Sequence, residues 1–392
     1  MLSVEDALDQ CLALVTPLGT ETVALRYAHG RMMPVAAVAL RDQPPFAASA
    51  MDGYAVAGDP PPGTRFTVVG EAGAGHAYAG TVSAGQTIRI FTGAPVPQGA
   101  TRVIIQEDVT RDGDHIRVNP GADTGSHIRP MGQDFKAGDT LPPRRLSAYD
   151  LALLASMNVA SVTVTRRPVV ALIATGDELV MPGETPSPSQ IIASNAFALA
   201  ALIEAAGGIA RILPIARDTT DHLRDVLTMA LDTDLIVTIG GASVGDHDLV
   251  AAVTAEMGMT RSFWKIAMRP GKPLMAGRLH GKPVLGLPGN PVSSIVCCHL
   301  FVLPMLRAMQ GRPDVAPTPH RARLSVDIPA NGPRAHYMRA TLTEGDDLPD
   351  IAPFAAQDSA LLRVLSEASA LLIRPLGDIA RQKGEIVTYL PL

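Results

Sequence analysis

Between residues 168 and 309 the chain switches repeatedly between two hydrophobic periods, and this alternation narrows the fold more than any other feature. PVVALIAT, ARILPIA and LIVTI are short, almost unbroken apolar runs, the pattern of strands buried on both faces. Between them AFALAALIEAA, DHLRDVLTMAL and DLVAAVTAEMG carry helical spacing. Asn195 is the expected cap of the first helix, which stops at Gly207-Gly208, and Thr220 opens the second. KPLMAG and KPVLGL are two further apolar runs, followed by a long helix from about Val292 to Met309. Strands alternating with amphipathic helices imply a parallel, doubly wound sheet, in which ligands bind beyond the carboxyl ends of the strands.

The flanking sequence has a different texture. Residues 3–15 read as a helix, with Ser3 and Asp6 in a capping-box pattern and Val4, Leu8, Cys11 and Val15 on one face. Residues 42–145 are rich in Gly and Pro and hold the short β-like runs RFTVVG, TIRIF, RVIIQE and HIRV, as in a small β-rich domain. SAYDLALLASM, residues 147–157, is helical again, and the two helical pieces are expected to pack together as one elongated unit. After the Pro-rich linker GRPDVAPTPH come ARLSVDI, HYMRATL, LLIRPL and EIVTYL, which make a small β-barrel domain. The expected fold class is therefore multidomain α/β. Residues 1–41 with 140–166 form an elongated helical/β linking domain, 42–139 a β-rich insert, 167–312 the doubly wound domain and 318–392 the C-terminal β domain.

Composition excludes several functions. A formal charge of −5 over 392 residues provides no general attraction to nucleic acid. The three cysteines, Cys11, Cys297 and Cys298, form no CxxC and read as reduced core thiols of a cytosolic protein. MLSVEDALDQ is acidic and is not a signal peptide, and IVCCHLFVLPML carries a His and a Pro and is too short to span a bilayer. A soluble cytoplasmic protein without nucleic-acid or membrane partners is expected. The chain has no GxxxxGK[ST], no GxGxxG after a strand, no HExxH, no GxSxG and no Cys/His cluster, so nucleophilic catalysis and a zinc site are unsupported.

Three loops follow strands of the α/β region: TGDEL (175–179), GGASVGDHD (240–248) and LPGNPVSS (287–294). Strands of a parallel sheet share a direction, so all three are expected at one edge. Backbone N–H groups around Gly240, Gly241, Ser243 and Gly245 can hold phosphate at the start of the next helix. Asp246 and Asp248 would repel that phosphate unless a cation sits between, and Mg²⁺ takes such a mixture of carboxylate and phosphate oxygens. The alternative is that Asp246 is an N-cap and Asp248 a first-turn acid. WKIAMRPGKP concentrates Lys265, Arg269 and Lys272, cations suited to an oligo-anionic ligand or to ordinary surface ion pairs. Asp52, Thr92 and Asp134 of the insert stand in segments equally consistent with turn chemistry.

SAMDGYA, FTGAPVP, ATGDEL, GGASVGDHD, FWKIAMRPGKP and LPGNPVSS, in this order, resemble the MoeA-type molybdopterin molybdenumtransferases. The resemblance implies that the doubly wound domain binds molybdopterin, and that molybdate is inserted into adenylylated molybdopterin with Mg²⁺-dependent release of AMP. It implies cleft acids at Glu178, Asp218 and Asp248, the last as Mg²⁺ ligand with Asp246 beside it. It places Lys265 and Lys272 near the anion, with Arg269 where Lys is common and Ser194-Asn195 where Asp-Asn is usual. Pro288, Asn290 and Pro291 shape the pocket, Ser359 joins from the last domain, and Asp52, Thr92 and Asp134 are functional. A homodimer is implied, with the adenylyltransferase that supplies the substrate and downstream cofactor-handling proteins as partners. A molybdopterin adenylyltransferase and a dimeric scaffold of the same fold are the alternatives.

Overall fold

A computed structural model of the chain describes residues 1–241 and 249–392. It divides into two compact units, Met1–Glu21 with Thr165–Leu392, and Thr22–Val164.

The first unit is built on a six-stranded sheet. Its strands lie in the order Ile209–Ile212, Val169–Ala174, Leu235–Ile239, Lys282–Leu287, Met275–Leu279, Thr260–Trp264. The first four are parallel. Met275–Leu279 runs antiparallel to both its neighbours, so the sheet is mixed where a parallel one was expected. The reason lies at His280-Gly281, both at positive φ, which join KPLMAG to KPVLGL in a two-residue hairpin and leave no crossover helix. Double winding is visible residue by residue. On Val169–Ala174, Val170 and Leu172 enter one core while Ala171 and Ile173 enter the other. Alternating side chains of a strand point to opposite faces, so a continuous apolar run feeds two cores at once. Helix Asn195–Ala205 and the helix from Pro291 pack on the first face, and helices Thr220–Met229 and Leu249–Glu256 on the second.

The stretch IVCCHLFVLPML lies within a longer helical segment, Pro291–Met309, whose 19 residues are enough in length and composition alone to cross a membrane. Its apolarity is accounted for by packing, since 83% of it is buried inside the α/β core. It is α-helical over Pro291–Cys297, π-helical over Cys298–Val302 and α-helical again over Leu303–Met309. Pro304 lacks an N–H and its ring would strike the carbonyl four residues back, which accounts for the widened turn in which the Leu303 N–H donates to the Cys298 carbonyl. All three cysteines are buried and free, and burial pushes the Cys11 thiol up to about 12.

Helix Val4–Leu12 is capped by Ser3, whose hydroxyl accepts the Asp6 N–H at 3.0 Å. Its face Ala7, Cys11 and Leu14 enters the α/β core, so residues 1–21 belong to that unit. The second helix, Ala148–Ser156, has a full Ser147/Asp150 capping box and places Leu154 in a separate core with Met33, Leu146 and Val164. The two helices thus give their apolar faces to different cores.

The C-terminal strands His320–Leu324, Ala335–Thr343, Asp350–Pro353, Ala370–Arg374 and Ile386–Pro391 form a barrel, closed by the pairing of Ala335–Thr343 with Ala370–Arg374. The strand Asp350–Pro353 is hidden in the sequence because prolines flank and end it. Leu324, Ala340, Leu372 and Val387 fill the barrel, while Tyr337, Leu371 and Leu390 on its outer face join the α/β core.

The second unit carries a six-stranded sheet, ordered Arg102–Ile105, Gly53–Val56, Gln86–Ile90, Arg65–Ala72, His115–Val118, Val109–Asp112. Ala55, Ile88 and Val103 pack on one face and Tyr54, Phe66 and Ile116 on the other.

Candidate functional site

The three loops at the carboxyl edge of the sheet meet as their strand directions require. The Thr175 N–H donates to the Ile239 carbonyl and the Gly240 N–H to the Leu287 carbonyl, both at 3.0 Å. A Cβ on Gly289 would lie 3.4 Å from Gly240 Cα, and one on Gly240 would lie 3.0 Å from the Thr175 carbonyl oxygen. Glycine is thus favoured at Gly240 for close approach, and at Gly240 and Gly241 for φ values of 95° and 64°. The loops enclose a cleft of about 600 Å³ lined by Thr175, Glu178, Asn195, Gly240, Gly241, Pro288, Asn290 and Pro291. A neighbouring recess of about 530 Å³ shares Thr175, Glu178 and Gly241 and adds Arg217 and Asp218. Leu179, Ile191 and Ile192 supply an apolar wall, with Leu179 paired to Ile191 in a two-stranded ribbon.

Charge in this cleft is held in a definite way. The Glu178 carboxylate lies across Gly176, where a Cβ would overlap it. It makes no hydrogen bond or ion pair among the described residues, so its oxygens remain available. Asp177 and Asp218 brace each other: the Asp177 N–H donates to the Asp218 carboxylate at 3.3 Å and the Asp218 N–H to the Asp177 carboxylate at 3.2 Å. The Arg217 guanidinium donates to the carbonyls of Asp177 and Leu179, at 3.3 and 3.0 Å, and forms no ion pair among the described residues. The recess therefore presents both acids and an unneutralised cation.

Asn195 does not cap its helix as expected. Ser194 holds the cap position without a side-chain bond to the helix N–H groups, its hydroxyl donating to Asn195 Oδ1 at 3.3 Å, and the Asn195 amide donates to the Gly289 carbonyl at 2.7 Å. The Asn290 amide donates to Ser359 Oγ at 3.1 Å, and the Val292 N–H donates to the Ser359 carbonyl at 3.0 Å. Ser359 is thereby brought from the C-terminal segment to the LPGNP turn, with Ala360 in the cleft wall. That segment is fastened by buried Arg339, which donates to the Asp358 carbonyl at 2.7 Å and to Gln357 Oε1. Burial pushes the Arg339 guanidinium below its usual value. It also pushes neighbouring His336 down to about 4, helped by the charges of Arg269, Arg339 and Arg374.

In the second unit, Asp52 Oδ1 accepts from the Thr92 N–H at 2.8 Å and from the Thr92 hydroxyl at 2.7 Å. These bonds hold its carboxyl below the usual carboxylate range. Asp134 lines a depression of about 580 Å³ with Gln43, Pro44, Phe46, Gly93 and Arg129. Through the adjoining Thr92 and Gly93, the three insert residues fall at one place.

The chain matches the MoeA N-terminal region, domains I and II, over residues 2–158, a probable molybdopterin-binding domain over 171–308, and the MoeA C-terminal region, domain IV, over 321–392. It is 33% identical to a molybdopterin molybdenumtransferase of Nostoc sp., covering 100% of this chain and 94% of that protein. It is 34% identical to molybdopterin molybdenumtransferase 2 of Mycobacterium tuberculosis over 90% of both chains. The solved structure of a molybdopterin biosynthesis MoeA protein from Pyrococcus horikosii superposes with a TM-score of 0.83 at 30% identity, covering 100% of this chain and 99% of that one.

The chain belongs to the molybdopterin molybdenumtransferase family. It is a transferase of molybdenum cofactor biosynthesis.

Within this molybdopterin molybdenumtransferase, the structure gathers Glu178, Asp218, Gly240, Gly241, Pro288, Asn290 and Pro291 around one cleft and sets Ser359 against it. Ser243, Gly245, Asp246 and Asp248 lie outside the described residues. Lys265, Arg269 and Lys272 do not line the cleft among the described residues; the wall reaches their segment at Pro273. Arg269 pairs instead with the barrel, opposite His336. Among the described residues no group of three His, Cys, Asp or Glu side chains stands ready for a metal. The acids that line this recess, Glu178 and Asp218, offer hard carboxylate oxygens, the type Mg²⁺ takes when phosphate completes its shell. Arg217 and Asn195 are the contributors that motif reading passed over, although both adjoin residues it singled out, Asp218 and Ser194.

Proposed function

We propose that this transferase takes adenylylated molybdopterin, inserts molybdate into its dithiolene and releases AMP in a Mg²⁺-dependent step. The observation that carries this reading is the meeting of three strand-end loops around one cleft whose glycines admit phosphate to the backbone, while Glu178, Asp218 and Arg217 supply both signs of charge.

Each contribution is electrostatic or positional. Gly240 and Gly241 leave the cleft wall bare of side chains, so a pyrophosphate can approach main-chain atoms. Arg217 offers a guanidinium that forms no ion pair among the described residues, suited to a phosphate oxygen. Glu178 accepts the proton of a water directed at the pyrophosphate, and Asp218, braced by Asp177, fixes the neighbouring charge. Glu178 and Asp218, with Asp248 and Asp246 as expected ligands, would hold Mg²⁺, which when bound neutralises phosphate charge. The substrate's own sulfurs attack molybdenum, so no protein nucleophile is required. The chain acts as a cytoplasmic homodimer in this reading, with one subunit's Asp52, Thr92 and Asp134 serving the other's cleft.

Reconstitution tests this. Full-length chain, adenylylated molybdopterin, Mg²⁺ and molybdate should yield AMP and finished cofactor in equal amounts. Absence of AMP with correctly folded protein would overturn the reading. Adenylylation of molybdopterin from ATP, without any use of molybdate, would establish the adenylyltransferase alternative.

A further inference from the structure

Trp264 is the only tryptophan in the chain. It ends the edge strand Thr260–Trp264 and packs on the core formed by Val250, Val253 and Met275. Core packing explains the ring's burial but not the arrangement around it. The Lys265 ammonium lies 4.3 Å from the ring centroid and the Arg261 guanidinium 5.3 Å from it. Both distances are within the range of cation–π attraction. Two like charges repel, so gathering both on one ring requires a structural cause, and the backbone provides one for each.

Lys265 has φ +74°, the left-handed region that residues with a side chain seldom occupy. A regular strand would send the side chains of Trp264 and Lys265 to opposite faces. The left-handed turn breaks that alternation and folds Lys265 back over its neighbour. Arg261 reaches the same ring because the pairing with Met275–Leu279 shifts register between Arg261 and Phe263. The strained position is fastened on the far side. The Lys265 N–H donates to the Leu274 carbonyl, and the N–H groups of Ile266 and Leu274 both donate to the Lys272 carbonyl. The next residue, Pro273, is part of the cleft wall. Trp264 Nε1 is buried with no hydrogen-bond partner among the described residues, so the indole is kept for its face and not for its polar edge.

We propose that Trp264 is a positioning residue: its ring holds the Lys265 ammonium in place, in the segment that continues to Pro273 of the cleft wall, and an oxyanion substrate binds that ammonium while it stays on the ring. This rests on the proposed function together with the expectation, from the family resemblance, that Lys265 lies near the anionic substrates. The ring lets a half-buried ammonium sit next to a second cation without an acid to neutralise it among the described residues.

Because Trp264 is alone, its emission reports this contact directly. Titration of the full-length protein with sodium molybdate should change the emission saturably, and Lys265→Met should abolish that change while the ring stays buried. Replacing the ring by Leu should raise the half-saturating molybdate concentration in the AMP-release assay by roughly 3- to 30-fold, with kcat little altered. Trp264→Phe, which keeps an aromatic face and most of the packing, should recover part of that loss. An unchanged molybdate dependence in both Trp264 variants, or molybdate-independent emission in a wild-type protein that turns over, would overturn the positioning role. If Lys265→Met itself keeps full AMP release, the role of Lys265 in the proposed function fails instead, and the two failures are read in different variants.

Discussion

The acids of the α/β cleft and the acid of the insert are held by opposite means. Asp52 is pinned through one oxygen by both donors of Thr92, a local arrangement within a turn-rich sheet. Glu178 has no such partner among the described residues and is placed by topology, at the point where loops from several parallel strands run together. The first site depends on a pair of hydrogen bonds and the second on glycines that let three loops touch. The contrast teaches where each can be broken: the cleft by adding volume, the insert by removing a donor. Backbone crowding is common to both, and gives the largest expected effects.

Gly53→Ala should be the most damaging substitution in the insert. The added Cβ would overlap the Ile104 carbonyl in the neighbouring strand, and a backbone atom cannot move aside. A loss of about 3 kcal/mol is expected, read by denaturant unfolding of the full chain. Gly241→Ala would meet the Val250 side chain at a left-handed position, so it should lower AMP release far more than it lowers stability. Equal damage to folding from both would erase the distinction between the regions.

Asp378 sharpens the comparison from a third place, the C-terminal barrel. Burial raises its pKa, but bonds from Arg381 and Arg374 outweigh that and hold the carboxyl below its usual range. A depressed carboxyl contributes stability above its unfolded pKa of about 4 and loses it as pH falls through the lower folded value. Asp378→Asn should therefore cost about 3 kcal/mol at neutral pH and very little in strong acid, seen by thermal unfolding across pH. Asp52, also depressed but only partly buried, should show a smaller loss of stability on acidification. A common acid transition for both would contradict the difference in burial.

Thr92→Val removes the hydroxyl but keeps the N–H donor to Asp52, so AMP release should fall by roughly tenfold, the value of one hydrogen bond to a charged group. Asn195→Ala breaks the 2.7 Å link to the Gly289 carbonyl. A loss of about 1 kcal/mol in substrate binding, a roughly fivefold rise in KM, is the smallest of these effects.

The α/β domain was legible because one physical rule does most of the placement. Apolar strands with intervening helices imply shared strand direction, and shared direction brings Thr175–Glu178, Gly240–Gly241 and Pro288–Pro291 together. The antiparallel strand was missed because KPLMAG and KPVLGL look alike whether joined by a helix or a hairpin, and His280-Gly281 was not read as a turn. Asn195 was misjudged because a residue that can cap a helix can equally bond across to another loop, and only tertiary contact decides. Asp52, Thr92 and Asp134 gave no signal of their own, since Asp-Gly and Thr-Gly pairs are ordinary turn chemistry; their importance came from resemblance. Arg217 was overlooked because an Arg beside acids reads as a surface ion pair, whereas here it bonds carbonyls and keeps its charge for the cleft.

The most direct test is AMP release by Glu178→Gln, an isosteric change that removes the unpartnered carboxylate and leaves the glycine contacts in place. With folding verified by unfolding midpoint, the rate should fall by roughly 100-fold or more at saturating substrate, Mg²⁺ and molybdate. A wild-type rate in that variant would contradict the placing of the chemistry at the carboxyl edge of the sheet.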